Sequence, residues 1–173
     1  MKEPKDYHEA ARERLDQAQF LFDVPQDEAE RALGDKRYAL VVYAAGVAVE
    51  AMLRAYRLKI DDTFEGRHNL DTLFGESGLD ARLREHLEGR GADPAVVTER
   101  LRELRTAADK VYLTWRNVYR YASDRALVKD LIERKRIPRS QNKGDKAALL
   151  RAQARILIEA ATVVITAGEE AWS

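Results

Sequence analysis

Apolar residues recur with the period of an α-helix in nearly every segment of this chain, and no segment shows convincing strand alternation over a useful length. The first apolar stripe consists of Tyr7, Ala11, Leu15, Ala18 and Phe22. We expect this helix to end just before Pro25, because a proline pushes the residue that precedes it out of the α region. A second helical piece begins in the acidic stretch 26–30, and Gly34-Asp35 interrupts or kinks it.

The most apolar stretch of the chain is residues 38–49, and the helix that contains it is predicted to extend to about Arg57. Apolar residues lie nearly all round this helix, so we expect it to be the central and most buried one. Its apolar run of 12 residues is too short to span a bilayer, which takes about 20 residues. The pattern therefore indicates a core helix.

Two short helices are predicted after a loop of mixed charge at 59–67. The first has Asn69 as its N-cap and ends near Gly75. The second is predicted to have Asp80 as its cap and Gly89 just past its end.

The longest regular pattern begins at Asp93-Pro94, where an N-cap residue precedes a proline at the first helical position. Its apolar positions step by four and three along Val97, Leu101, Leu104, Ala108, Val111, Trp115, Val118 and Ala122. This pattern predicts one continuous helix of about seven or eight turns, with Trp115 and Val118 pointing inward. Four polar residues near its end lie outside the apolar seam on neighbouring faces, namely Arg116, Asn117, Arg120 and Tyr121.

The rest of the chain predicts a short amphipathic helix at 124–133, a basic loop at 134–143 and a final helix that starts at Asp145. The loop carries five positive charges and no negative ones. The predicted fold is all-α: an up-and-down helical bundle of four long helices with additional short helices, in a single domain of residues 1–173.

The composition limits the classes of function that are possible but does not assign one. Lys plus Arg and Asp plus Glu both number 30 in the 173 residues, so no global field attracts a polyanion, and nucleic-acid binding would need a local patch. The absence of cysteine excludes disulfides and thiolate metal sites, and three dispersed histidines argue against a metal site. We expect no cofactor. Residues 1–10 lack the apolar core of a signal peptide, which predicts a cytoplasmic location.

Three segments, in order, resemble the HEPN superfamily of helical domains. Residues 48–55, Ala-Val-Glu-Ala-Met-Leu-Arg-Ala, are similar to the family's A-x-E-x-x-L-K/R-A element in its central helix. Residues 68–73, His-Asn-Leu-Asp-Thr-Leu, resemble its H-x-L-x-x-L element. Residues 116–121, Arg-Asn-Val-Tyr-Arg-Tyr, look like its signature arginine, which is often followed by asparagine and has a histidine after four to six intervening residues.

The resemblance implies a bundle, often dimeric, whose signature helices meet near the dimer axis. In active members the arginine and histidine cleave RNA without metal, through attack of the 2′-hydroxyl on the adjacent phosphate. This chain departs from that pattern, because Tyr121 occupies the first position allowed to the histidine and Ala122 and Ser123 occupy the next two. A tyrosine with its ordinary pKa of about 10 is a poor general base at neutral pH.

The residue types and the resemblance together give three sets of candidate site residues. The candidate catalytic residues are Arg116, Asn117 and Tyr121. The candidate phosphate- or RNA-binding residues are Arg120, Arg134, Lys135, Arg136 and Arg139. The candidate supporting residues are Glu50 and His68.

Each candidate also has a structural interpretation. The polar residues near Arg116 could form a solvated helix face. Glu50 and Arg54 could form a structural i,i+4 ion pair. Alternatively, Glu50 orients Arg116 or His68 across the bundle. His68 could bond the loop at a helix start or substitute for the missing histidine. The 134–143 loop is either a solvated connection or a phosphate-binding arm.

The leading hypothesis is an RNA-associated or toxin–antitoxin-type module with weak or absent nuclease activity. We expect a homodimer through the helix that bears Arg116 and Tyr121, a nucleotidyltransferase-type protein as a possible partner, and no membrane association. The first alternative is a metal-independent endoribonuclease in which Arg116 stabilises the pentacoordinate phosphorane and Tyr121 or His68 handles protons. The second is a protein-interaction module without catalysis.

Overall fold

The fold was obtained as a computed structural model, which describes residues 3–65, 69–138 and 145–172. Within these ranges the chain is helical and contains no strand, which confirms the predicted all-α bundle. The α-helices are α1 (Pro4–Asp23), α2 (Gln26–Leu33), α3 (Arg37–Ile60), α4 (Leu70–Ser77), α5 (Leu79–Gly89), α6 (Pro94–Thr114), α7 (Asp124–Glu133) and α8 (Lys146–Glu170). Two 3-10 turns lie at Gly34–Lys36 and Asn117–Tyr121.

Helix α3 is the central element, as the apolar pattern predicted. It packs against α1 along much of its length and also against α8 and α4, while α6 packs against α8. The stretch Arg31–Ile60 is long and apolar enough to cross a membrane by length and composition, but 78% of its most apolar window is buried inside the protein. Such burial is typical of a core helix that is apolar on all sides.

Two glycines let large side chains approach the helix backbones closely. A Cβ atom on Gly46 of α3 would lie 1.9 Å from Cδ1 of Trp115, and one on Gly168 of α8 would lie 2.4 Å from the sulfur of Met52. The hydroxyl of Tyr56 then donates a hydrogen bond of 2.7 Å to the carbonyl of Gly168. Close packing of this kind fixes α3 against both α8 and the segment after α6.

Most of the predicted helix starts are confirmed. Asn69 accepts from the amide of Thr72, Asp93 accepts from the amide of Ala95, and Asp145 starts α8 in the same manner. The prediction for α5 was wrong. Its N-cap is Gly78 at φ 68°, and Gly89 is the last residue of the helix itself.

The prediction of one continuous helix through Ala122 was also wrong. Helix α6 ends at Thr114, Trp115 and Arg116 are extended, and a 3-10 turn follows. Trp115 leaves the helix because its ring packs over Gly46 and its indole N–H donates to the carbonyl of Tyr43 at 3.2 Å. As a result Trp115 is buried as predicted, but Val118 is 56% exposed and does not point inward.

Candidate functional site

The break after α6 separates the two arginines that the sequence placed on neighbouring faces of one helix. The side chain of Arg116 is about half exposed and donates to Oδ1 of Asp130 in α7 at 2.8 Å. Arg120 instead lines a cleft that the Asn117–Tyr121 turn forms with α1 and α3, whereas Arg116 lines a different cleft together with Arg134. Arg116 and Arg120 therefore do not form the single cationic cluster that the helical spacing predicted.

Asp130 is the centre of a polar network that the sequence did not reveal. Its Oδ1 accepts from Arg116, and its Oδ2 accepts from the hydroxyl of Tyr119 and from Arg134. Burial by itself would raise the pKa of Asp130, but the hydrogen bonds from Tyr119 and Arg116 together hold this pKa below its ordinary value. Burial, with the bond to Asp130, raises the pKa of Tyr119.

Arg134 has a structural role that its sequence position did not predict. Its Nη2 donates to the carbonyl of Leu113 at 2.8 Å, and its Nη1 donates to the carbonyl of Thr114 at 3.1 Å. These are carbonyls at the end of α6, which have no partner inside the helix. The guanidinium that was predicted to bind phosphate is therefore committed to capping α6.

The other members of the predicted basic arm are only partly described. Lys135 and Arg136 are exposed, so both are accessible to a polyanion. Arg139 and His68 lie outside the described residues, and the roles predicted for them stay predictions.

A cleft of about 370 Å³ lies where the Asn117–Tyr121 turn meets α1 and α3. We call it the Arg120 cleft; its lining residues are Tyr7, Tyr43, Val47, Glu50, Ala51, Arg54, Asn117 and Arg120. It brings together two arginines, one carboxylate, one amide and two phenol groups. Its formal charge is therefore one positive unit, which suits a small anion.

Glu50 and Arg54 form the ion pair that their i,i+4 spacing predicted. Nε of Arg54 donates to Oε1 of Glu50 at 2.7 Å, and both side chains are largely buried. Since Arg116 pairs with Asp130, the proposed orientation of Arg116 by Glu50 was wrong. Glu50 instead lines the same cleft as Asn117 and Arg120.

Arg120 is the exposed cation of this cleft. Its Nη2 donates to the hydroxyl of Tyr121, and its guanidinium lies 4.3 Å from the centroid of the Tyr121 ring. The hydrogen bonds to Tyr121 and Tyr43 raise the pKa of Arg120, so it stays cationic. Among the residues that the structure describes, no carboxylate forms an ion pair with Arg120.

Neither of the two described histidines lines the cleft, and both are partly buried. His8 stacks on Trp172 with ring centroids 4.2 Å apart, and burial lowers its pKa. Within the described ranges, no cluster of three or more histidine or acidic residues could hold a metal ion.

Comparison of the chain with family models, with curated proteins and with solved structures finds no match. The resemblance to the HEPN superfamily therefore rests on the three sequence segments alone.

Proposed function

We propose that this protein is an RNA-associated module of the HEPN type that binds RNA phosphate in the Arg120 cleft and has weak or absent nuclease activity. The observation that carries the proposal is the position of Arg120: a cation without a carboxylate partner among the described residues, beside the amide of Asn117 and the hydroxyl of Tyr43. Guanidinium groups bind phosphate with strong, charge-assisted hydrogen bonds.

The cleft supports binding better than cleavage. Phosphoryl chemistry of the HEPN type needs an arginine on the phosphate and a group that moves protons. Here Arg116 is held by Asp130, and the Tyr121 hydroxyl already accepts a hydrogen bond from Arg120. Among the described residues that line the cleft, the carboxylate is Glu50, and it is paired with Arg54.

The proposed biological setting is that of a toxin–antitoxin-type pair in the cytoplasm, with a homodimer as the working unit. A nucleotidyltransferase-type protein is the proposed partner. A gene for a small nucleotidyltransferase beside the gene for this chain would support that setting.

The direct test is retention of a labelled single-stranded RNA at increasing salt, in the presence of EDTA. We expect binding that weakens steeply with salt, and we expect Arg120→Ala to lower affinity by about 10-fold and to reduce the salt slope by about one. Arg90→Ala is the matched control, because Arg90 is also an exposed arginine but does not line the cleft. Equal affinity of the wild type and Arg120→Ala would refute phosphate binding at this cleft.

The same experiment separates the alternatives. Cleavage that Arg116→Ala or Asn117→Ala abolishes would establish the endoribonuclease instead. Failure to retain RNA at low salt would refute the RNA proposal and favour the protein-interaction module.

A further inference from the structure

We infer that the RNA held by the Arg120 cleft is single-stranded and that one unpaired base stacks on the ring of Tyr121. This inference rests on the proposed function, and it goes further by assigning the base-binding surface. It follows from how Tyr121 is held and from where its neighbouring aromatic residues lie.

Tyr121 is 72% exposed, yet its ring is held in place by two contacts with Arg120. One is the hydrogen bond to its hydroxyl, and the other is the guanidinium that lies 4.3 Å from the ring centroid. A ring that is already oriented loses little side-chain entropy when a ligand stacks on it. Its large exposed area leaves apolar surface for a second planar group.

The other aromatic residues of this segment do not offer such a surface. Trp115 and Tyr119 are only 5% and 2% exposed. Trp115 packs on Gly46, and the Tyr119 hydroxyl is bonded to Asp130. Tyr121 is therefore the aromatic side chain of the Arg116–Tyr121 segment that solvent, and so a base, can reach.

Phosphate and base sites are adjacent because Arg120 and Tyr121 are neighbours in one turn. The Arg120 cleft, at about 370 Å³, has the size of pockets that enclose small molecules, about 300–1,000 Å³. It therefore suits one phosphate and its sugar, with the attached base outside on Tyr121. In a duplex the base faces are covered by their neighbours, so this arrangement selects unpaired RNA.

The test compares a labelled unstructured RNA strand with the same strand annealed to its complement, by fluorescence anisotropy. We expect tighter binding of the single strand by the wild type. Tyr121→Ala should weaken that binding by about 5- to 100-fold, since stacking on an aromatic side chain contributes that much per base. Tyr121→Phe should bind within about threefold of the wild type, because it keeps the ring.

Phe20→Ala is the matched control, because Phe20 is 69% exposed and does not line the cleft. It should leave affinity unchanged. If Tyr121→Ala binds the single strand as well as the wild type does while Arg120→Ala does not, stacking is refuted and the proposed function stands. If Tyr121→Phe loses as much affinity as Tyr121→Ala, the hydroxyl is the functional group and stacking is also refuted. If the wild type binds neither RNA, both proposals fail.

Discussion

The contact between Gly46 and Trp115 fixes the position of the Arg116–Tyr121 segment relative to α3. A methyl group at position 46 would overlap the indole ring, since the Cβ atom would lie 1.9 Å from Cδ1. Trp115 has a tight site on α3, with its N–H bonded to the carbonyl of Tyr43. The ring therefore has little room to shift.

We predict that Gly46→Ala destabilises the protein by about 1–3 kcal/mol or more, because overpacking a core forces side chains and backbone to move. Urea unfolding measures this free energy. Gly75→Ala in α4 is the control: nothing lies within 4 Å of its added Cβ atom, so the variant should gain about 0.4–1 kcal/mol. A Gly46→Ala protein as stable as the wild type would show that the packing described for Trp115 is wrong.

The ionisation of Asp130 makes the free energy of unfolding depend on pH in the acid range. Its pKa in the folded state lies below the ordinary value, so it favours folding when ionised. That contribution is present above the unfolded-state pKa of about 3.9 and is lost as the pH falls through the lower folded-state value. The contribution of Asp124 to this pH dependence has the opposite sign. Burial raises the pKa of Asp124, so stability falls as this carboxyl group ionises.

We predict that Asp130→Asn costs about 1–3 kcal/mol at pH 7, because hydrogen bonds from charged and buried donors are weakened. The measurement is the difference in unfolding free energy between wild type and variant from pH 7 down to pH 3. Because Asp124 is present in both proteins, its own contribution cancels in this difference. This difference should shrink at the acid end. Asp109→Asn, at an exposed position of α6, should show no such change, and a constant difference for Asp130→Asn would contradict its assigned pKa direction.

The N-terminus of α3 is capped by a side chain of α7 and not by its own N-cap residue. Its N-cap residue, Lys36, forms no side-chain capping bond. Oδ1 of Asp124 accepts the amide of Ala39 at 2.7 Å, and the amide of Tyr38 also bonds Asp124. Because the first amides of a helix lack intrahelical partners, this contact ties the central helix to the segment after the Asn117–Tyr121 turn.

We predict that Asp124→Ala destabilises the protein by about 0.5–2 kcal/mol, the cost of a lost helix cap. Asp124→Asn should lose less, because its amide oxygen can accept the same bonds. Thermal unfolding of both variants checks this. If the two variants lose the same stability, the charge or packing of Asp124 matters rather than its capping oxygen.

At the level of the assembly, the homodimer stays a prediction. The surface near the Arg116–Tyr121 segment is consistent with it, since Val118 is 56% exposed and Tyr112 is 40% exposed, and both line one surface groove. Exposed apolar side chains that lie close together are typical of interaction sites.

We predict that the protein elutes as a dimer in size-exclusion chromatography with light scattering, and that Val118→Asp shifts it to a monomer by placing a charge in the interface. Val96→Asp is the control, because Val96 is 51% exposed on the first turn of α6, away from this segment. A wild type that is monomeric at high concentration would remove the homodimer from the proposal.

The sequence by itself determined the all-α class, the central place of α3 and the starts of α4, α6 and α8. Apolar periodicity and capping residues act locally, so they can be recognised in one chain without its fold. The same locality explains the ion pair of Glu50 and Arg54, which lie one turn apart.

Only the tertiary structure decided the geometry of the candidate site. The four-three pattern through Ala122 favoured a continuous helix, but the packing of Trp115 on Gly46 and the capping of α6 by Arg134 override that local preference. Asp130, which pairs with Arg116, lies 14 residues away in sequence, and the Arg120 cleft joins α1, α3 and a turn. Contacts between distant segments depend on how helices pack, and periodicity within one helix carries no information about them.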